Sequence, residues 1–205
     1  MKYPPCITYV GGKPFSVPEG MGEGAPRREV LVTIDTKPYA SKPPKESGEV
    51  ARVSNRLMSI GPAVATAEEL ARSISEGRAF LPSVNVGKRS PDTWTAQQLF
   101  CIDVDNDAET LRRCGHTLPY FKGINRAFAL GLPLIVSYLS FSATDMSDRY
   151  RLLFDMGEPT EDKARAEEFG AALLAAYPEA DQSSTQLNRL FYGTDKEVQL
   201  WAPRP

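Results

Sequence analysis

The sequence predicts an α+β domain in which helices flank a largely antiparallel sheet. Strand-like runs alternate with helical runs along the 205 residues, which is typical of this fold class. Residues 133–139 are apolar and residues 149–154 alternate, and a polar turn joins them, which predicts a β-hairpin. Residues 159–177 carry helical periodicity with many alanines and end at Tyr177-Pro178, which predicts a helix.

The remaining elements rest on local signals. Thr66 and Glu69 form a capping box ahead of an amphipathic helix that we expect to end at Gly77. Residues 43–48 contain two prolines and a glycine and predict a flexible connection. Further strands are expected at 7–10, 30–34, 80–89, 188–193 and 197–201. We expect residues 94–105 to form a loop that enters a strand, and residues 107–113 and 122–130 to form helices.

A length of 205 residues allows one large domain or two small ones. Hydrophobic residues make up 41% of the chain, and we treat residues 1–205 as a single domain with an N-terminal extension (1–65) and a core (66–205). No apolar run is long enough to cross a bilayer and no signal-peptide pattern opens the chain. We therefore expect a cytoplasmic protein without a membrane partner. The three cysteines show no paired spacing, which favours a reducing compartment.

Charge and histidine content narrow the function. A net charge of −2 argues against a protein that coats nucleic acid by bulk charge, but it leaves a local basic groove open. His116 is the sole histidine, so neither a Ser-His-Asp triad nor a multi-histidine zinc site can be built with confidence. A zinc site made of Cys101, Cys114 and His116 matches no reliable ligand spacing, so the metal-free interpretation is favoured.

Asp103 and Asp105 are the most informative residues, because they lie two apart at the end of the apolar run 99–102. In a strand, residues i and i+2 point to the same face, so the two carboxylates would share a small volume. Their repulsion is costly unless a cation lies between them. Hard divalent ions prefer such oxygen ligands, so the pair predicts metal-assisted phosphoryl chemistry.

Two further pairs of alternating residues flank the turn of the predicted hairpin. Ser140 and Ser142 end the first strand, where both hydroxyls would project together. Arg149 and Arg151 begin the returning strand, where two guanidinium groups suit bidentate phosphate binding.

A third carboxylate and another arginine come later in the chain. Asp181 precedes the stretch 188–193, which contains Arg189. Asp155 and Asp195 are rival candidates for the third carboxylate, since each lies near a predicted strand end.

In this order, over about residues 80–200, these pieces resemble the archaeo-eukaryotic primase superfamily. The resemblance is strongest to primase-polymerases of phages, mobile elements and CRISPR loci. Those proteins carry a basic, Trp-containing segment before an Asp-x-Asp strand, a Ser-Phe-Ser turn followed by Arg-Tyr-Arg, and a later Asp before Arg-Leu-Phe-Tyr-Gly. The first of these segments corresponds here to residues 87–103. The resemblance implies an RRM-like catalytic core.

The resemblance also implies site roles. Two Mg²⁺ or Mn²⁺ ions would be held by Asp103, Asp105 and Asp181. The nucleotide would be bound by Ser140, Ser142, Arg149, Arg151, Arg189, Lys88 and Arg89. Ser142 stands where the family has a histidine that binds the triphosphate. Because serine brings no charge, Arg149 or Arg151 would supply the cationic contact.

The implied activity is template-dependent nucleotidyl transfer, that is, primer synthesis and polymerisation in DNA replication. The implied partners are a single-stranded DNA template with primer, NTP or dNTP, and helicase or CRISPR adaptation proteins. Two other interpretations stay open. A metal-dependent nuclease or a sugar-nucleotide transferase would share the Asp-x-Asp ligands, and a non-catalytic nucleic-acid-binding module would tolerate serine at the histidine position.

Overall fold

The structure, a computed structural model, describes residues 4–16 and 28–201. The strands in this part of the chain are β1 (Cys6–Val10), β2 (Lys13–Ser16), β3 (Glu29–Ile34), β4 (Ala63–Thr66), β5 (Phe80–Leu81), β6 (Ser83–Asn85), β7 (Trp94–Val104), β8 (Leu134–Leu139), β9 (Tyr150–Thr160) and β10 (Val198–Trp201). The α-helices are α1 (Glu49–Ile60), α2 (Ala67–Ser75), α3 (Ala108–Cys114), α4 (Tyr120–Ala129) and α5 (Lys163–Ala176).

A seven-stranded sheet in the order β2-β1-β10-β8-β9-β7-β6 forms the centre of the molecule. All of its strand pairs are antiparallel. A smaller sheet has the order β4-β3-β5. The predicted α+β class with a largely antiparallel sheet is therefore confirmed.

Each face of the large sheet carries its own apolar core. Alternate residues of a strand point to opposite faces, so Leu99 and Cys101 of β7 belong to one core, while Phe100 and Ile102 belong to the other. The first core includes residues of α2 and of the small sheet, and the second includes residues of α4 and α5. Asp103 continues the first set, which places its side chain on the same face as α2.

Local signals predicted several elements well. The β8–β9 hairpin forms, and α2 begins at the reciprocal capping box of Thr66 and Glu69. Gly77 follows the helix with φ of +81°, in the left-handed region that favours glycine. Asp107 caps α3 by accepting a hydrogen bond from the Thr110 amide at 2.9 Å.

Other expectations were wrong. The expected loop in 94–105 is the body of β7, and the expected strand in 80–89 is split at Pro82 into β5 and β6. Residues 188–193 form no strand, since only Phe191 bridges to Phe80. The helix expected from 159 begins at Lys163, because β9 continues through Thr160.

The N-terminal segment contributes to both sheets. Strand β1 pairs with β10 of the large sheet, and β3 builds the small one. The predicted flexible connection contains a 3₁₀ turn (Lys45–Ser47) and leads directly into α1, a helix that the sequence signals missed. Within the described residues, no helix has the length and apolar character needed to span a bilayer.

Candidate functional site

The site begins with two charged residues placed opposite each other by strand register. Asp103 on β7 pairs with Arg151 on β9. The Arg151 Nε and Nη2 atoms each donate to a different carboxylate oxygen of Asp103, both at 3.2 Å. Each side chain is only 8% exposed, so this is a buried, bidentate ion pair.

Several groups fix the Arg151 guanidinium in place. Its Nη1 donates to the Tyr192 carbonyl oxygen at 2.7 Å. The guanidinium carbon lies 5.8 Å from the ring centre of Tyr138 and 5.5 Å from that of Phe191. The cation is therefore held by a carboxylate, a carbonyl and two aromatic faces.

A second pair continues the ladder beyond the end of β7. The Arg149 Nη1 atom lies 3.6 Å from an Asp105 oxygen, and both side chains are about one-third exposed. Burial and the nearby Asp103 charge raise the pKa of Asp105, and the charges of Arg149 and Arg151 only partly oppose this. Asp103 and Asp105 therefore each have an arginine beside them.

Asn106 holds this second pair in position. Its backbone φ is +48°, in the left-handed region, which is uncommon for a residue other than glycine. The Asn106 amide group donates to the Leu118 and Asp148 carbonyls at 2.7 and 2.8 Å and accepts from the Leu118 N–H at 2.8 Å. Because Asp105 and Arg149 are the chain neighbours of the bonded residues, this clamp sets their separation.

Asp181 reaches the same place from a distant part of the chain. Its backbone N–H donates to the Asp103 carbonyl at 2.8 Å. Its carboxylate accepts from Ser183 and, at 2.8 Å, from Arg189 Nη2. Although burial opposes the effect, these hydrogen bonds and the Arg189 charge lower the pKa of Asp181. The same Arg189 nitrogen lies 3.8 Å from the Asp103 carboxylate, so one guanidinium bridges two acids.

Asp103, Arg151 and Arg189 line a cleft of about 320 Å³, whereas Asp105, Arg149 and Asp181 are not among its lining residues. The described residues that line it are Lys42, Val50, Arg89, Asp103, Arg151, Gln186, Asn188, Arg189, Leu190, Phe191 and Tyr192. They include four cations and a single carboxylate, so the cleft favours an anion. Its volume lies at the lower end of the range for small-molecule sites.

The two basic residues predicted after β6 have different surroundings. Arg89 lines the cleft, and its guanidinium donates to Ser54 Oγ at 3.0 Å and to the Asn188 carbonyl at 2.6 Å. Burial lowers the pKa of Arg89 from its ordinary value. Lys88 is exposed and does not line the cleft.

The two serines lie in a turn rather than on a strand. Strand β8 ends at Leu139, and the Ser140 carbonyl accepts from the Ala143 N–H at 3.0 Å. The alternation that would place the Ser140 and Ser142 hydroxyls together therefore does not apply. Neither serine lines the cleft, although the Ser140 N–H donates to the Arg149 carbonyl at 2.7 Å.

The rival third carboxylates have other partners. Asp155 is buried further along β9, where it contacts Arg28 and Gln98. Asp195 lies 3.4 Å from Lys196 Nζ. Neither lines the cleft.

The unfavoured zinc ligands are also engaged elsewhere. Cys101 is buried in β7, the Cys114 thiol contacts the Pro178 carbonyl, and His116 Nε2 lies 2.8 Å from Glu179.

The carboxylates do not form a ready cradle for metal ions. Over residues 4–16 and 28–201, no group of three or more His, Cys, Asp or Glu side chains is placed to hold one. Asp103, Asp105 and Asp181 offer the hard oxygen donors that Mg²⁺ and Mn²⁺ prefer, but an arginine contacts each of them. The two-ion site does not fit this arrangement of side chains, and their role as metal ligands stays a prediction.

Sequence reasoning missed one wall of the cleft. Lys42 lies just before the segment interpreted as a flexible connection, and Val50 lies at the start of α1. Nothing in their local sequence distinguishes them. Asn188 and Tyr192 lie inside the recognised stretch 188–193, and their place beside Arg189 was the available signal.

Comparisons with known proteins add little. No protein-family model matches the chain, and no curated protein matches it significantly. Among solved structures, the AEP domain of the primase-polymerase (PrimPol) of cyanophage S-2L matches over 85% of this chain and 82% of that chain, with 11% identity and a TM-score of 0.40. This likeness is distant and assigns no function.

Proposed function

We propose that the cleft binds the triphosphate of a nucleotide and that the chain performs template-dependent nucleotidyl transfer. The single observation that carries this proposal is the cleft in which Asp103 lies among Lys42, Arg89, Arg151 and Arg189. Planar guanidinium groups bind phosphate oxygens in pairs, so three of them suit a polyphosphate. The ordered motifs described above support transfer from that nucleotide to a primer.

The rest of the cleft suits the nucleoside. Val50, Leu190, Phe191 and Tyr192 supply apolar and aromatic surface beside the cations. A nucleotide has a strongly charged phosphate end and, at the other end, a base with a flat aromatic face, which matches this division. The template and primer would then lie outside the cleft, with the primer end close to the carboxylates.

The test is incorporation of labelled nucleotides on a single-stranded template, with and without a primer, in Mg²⁺ or Mn²⁺. We expect Asp103→Ala combined with Asp105→Ala to lower incorporation by about a hundredfold or more, as for loss of preorganised charge in other active sites. The matched control combines Glu109→Ala with Glu167→Ala, which removes two exposed helix carboxylates. Incorporation by the double aspartate variant at the rate of the control would contradict the proposal, provided that both proteins fold.

A second candidate is a non-catalytic module that holds single-stranded nucleic acid for a partner. The observation that favours it is the ion pairing of all three carboxylates with Arg149, Arg151 and Arg189. Calorimetry separates the two functions. Tight binding of an oligonucleotide without binding of a nucleoside triphosphate would favour the module, and cleavage of the oligonucleotide without extension would favour a nuclease.

A further inference from the structure

One wall of the cleft is a single stretch of chain, residues 181–192, which we call the cleft loop. Six of the eleven described residues that line the cleft lie in its second half. The loop turns back on itself, since the Arg189 N–H donates to the Gln186 carbonyl at 3.0 Å and the Arg189 guanidinium donates to the Asp181 carboxylate at 2.8 Å. The position of Asp181 at the start of the loop therefore helps to set where the Arg189 guanidinium lies in the cleft.

Arg113 of α3 holds the chain immediately before the cleft loop. Its guanidinium donates to three consecutive backbone carbonyls, those of Pro178, Glu179 and Ala180. A planar guanidinium that binds successive carbonyls fixes the direction of the backbone, because its donors have a rigid geometry. The next residue, Asp181, donates its N–H to the Asp103 carbonyl at 2.8 Å. The chain that enters the cleft loop is thus attached to α3 on one side and to β7 on the other.

A second arginine, Arg126 of α4, secures the same segment in a different way. Its Nη1 and Nη2 atoms donate to the two carboxylate oxygens of Glu179 at 2.7 and 2.9 Å, and the Glu179 side chain is fully buried. Loss of Arg126 would leave a buried charge without its cation, so it would act on the whole fold. Arg113 is exposed and its hydrogen bonds within the described residues go to carbonyl oxygens, so its replacement leaves no buried charge unpaired.

We infer that Arg113 is a positioning residue for the cleft: it holds the backbone of residues 178–180, which places Asp181 and, through Asp181, the guanidinium of Arg189. This inference rests on the proposed function, because it names a residue that adjusts the proposed triphosphate site. Arg113 itself does not line the cleft, so its influence on a bound nucleotide passes through the chain. Replacing Arg113 should weaken triphosphate binding only while Arg189 is present.

The experiment is a double-mutant cycle read by calorimetry with a non-hydrolysable nucleoside triphosphate. The four proteins are wild type, Arg113→Gln, Arg189→Gln and the double variant. We expect Arg113→Gln to bind the analogue about tenfold more weakly than wild type, within the usual range for residues of one hydrogen-bond network. In the Arg189→Gln background the same substitution should change the affinity by less than about twofold, because the side chain that Arg113 positions is gone.

Arg112→Gln is the matched control. It removes the neighbouring positive charge of α3, and the hydrogen bonds of Arg112 within the described residues go to Glu109. This variant should bind the analogue as wild type does. An equal loss of affinity in Arg112→Gln would be a general effect of charge and would overturn the inference.

The other outcomes are equally decisive. Unchanged affinity in Arg113→Gln overturns the inference, and so does the same loss in the wild-type and Arg189→Gln backgrounds, which is what a purely structural role would produce. In both cases the proposed function stands, whereas it fails if wild type does not bind the analogue. Circular dichroism checks that each variant is folded. If Arg113→Gln does not fold, Arg113→Lys takes its place in the cycle, since lysine keeps the charge but lacks the planar set of donors.

Discussion

Two arginines of nearly equal exposure each bridge two carboxylates, but their surroundings differ. Arg56 of α1 is 29% exposed and Arg189 is 28% exposed. Arg56 makes a bidentate pair with the buried Asp35 at 2.9 and 2.7 Å and also contacts Glu49 at 3.3 Å. Arg189 bonds to Asp181 but only approaches its second carboxylate, which already has its own arginine.

The difference separates a bridge that joins two elements from one that spans groups which the backbone already places. The Asp35 carboxylate has no other ion pair among the described residues, and its bridge joins β3 to α1. In the cleft, strand register and backbone hydrogen bonds place the carboxylates, so the arginine between them does not hold elements together.

The largest loss of stability is expected from a substitution of Arg56. Arg56→Gln leaves the Asp35 carboxylate, whose side chain is fully buried, without a cationic partner. Breaking a buried pair in this way costs about 3–5 kcal/mol, because the remaining charge stays uncompensated. The free energy of unfolding in urea measures this loss.

Arg189→Gln provides the matched comparison in the same assay. This substitution should lower the free energy of unfolding by about 1 kcal/mol or less, as for a partly exposed pair. If Arg189→Gln lowers the free energy of unfolding as much as Arg56→Gln does, the two bridges do not differ in how strongly they stabilise the fold.

Sequence reasoning could predict the elements that carry local signals and missed those that do not. The capping box of α2 and the polar turn between β8 and β9 are short-range features. Helix α1 has no such start signal, since its N-cap is Gly48 and no side chain caps it. Residues 188–193 have strand-like composition, but pairing depends on a distant partner, and only Phe191 finds one.

An intermediate effect is expected at Asn106. Asn106→Ala loses the clamp on Leu118 and Asp148. It also places alanine, which lacks the polar side chain that lets asparagine adopt this conformation, at φ of +48°, where the left-handed backbone costs about 1–2 kcal/mol. Asn106→Gly loses the same hydrogen bonds without that backbone cost. In urea unfolding, alanine should therefore be the more destabilising of the two substitutions.

Nucleotide affinity then tests whether the clamp serves the site. Both variants should bind a nucleoside triphosphate more weakly if Arg149, which lies outside the residues that line the cleft, reaches the phosphates from its edge. Unchanged nucleotide affinity in both variants would mean that Asn106 serves only the fold. Equal stability of the two variants would mean that the left-handed backbone at residue 106 carries no cost for alanine.

Site residues could be predicted only where they alternate along a strand or at its end. The spacing of Asp103 and Asp105 predicted two carboxylates that project to the same side, and the spacing of Arg149 and Arg151 predicted the same for two guanidinium groups. The register that pairs them across β7 and β9 depends on the whole sheet, so their mutual neutralisation could not be predicted. The wall that contains Val50 depends on contacts between distant segments.

The smallest effect is expected at Glu49, the second carboxylate on the Arg56 bridge. The hydrogen bond from Tyr39, followed by those from Arg52 and Lys37, lowers the pKa of Glu49 to about 2 from an ordinary value of 4.5. A carboxyl whose pKa is lower in the folded state stabilises the protein above its unfolded pKa, and that contribution is lost as pH falls through the folded value.

The free energy of unfolding measured between pH 6 and pH 2 checks this expectation. Glu49→Gln cannot ionise, so its stability should fall less on acidification than that of wild type, mainly between pH 4.5 and pH 2. Glu167→Gln, which changes an exposed carboxyl of α5, is the control and should follow wild type. If the stability of Glu49→Gln changes with pH as that of wild type does, these hydrogen bonds do not lower the pKa of Glu49. The Arg56 bridge would then stabilise the fold through Asp35 alone.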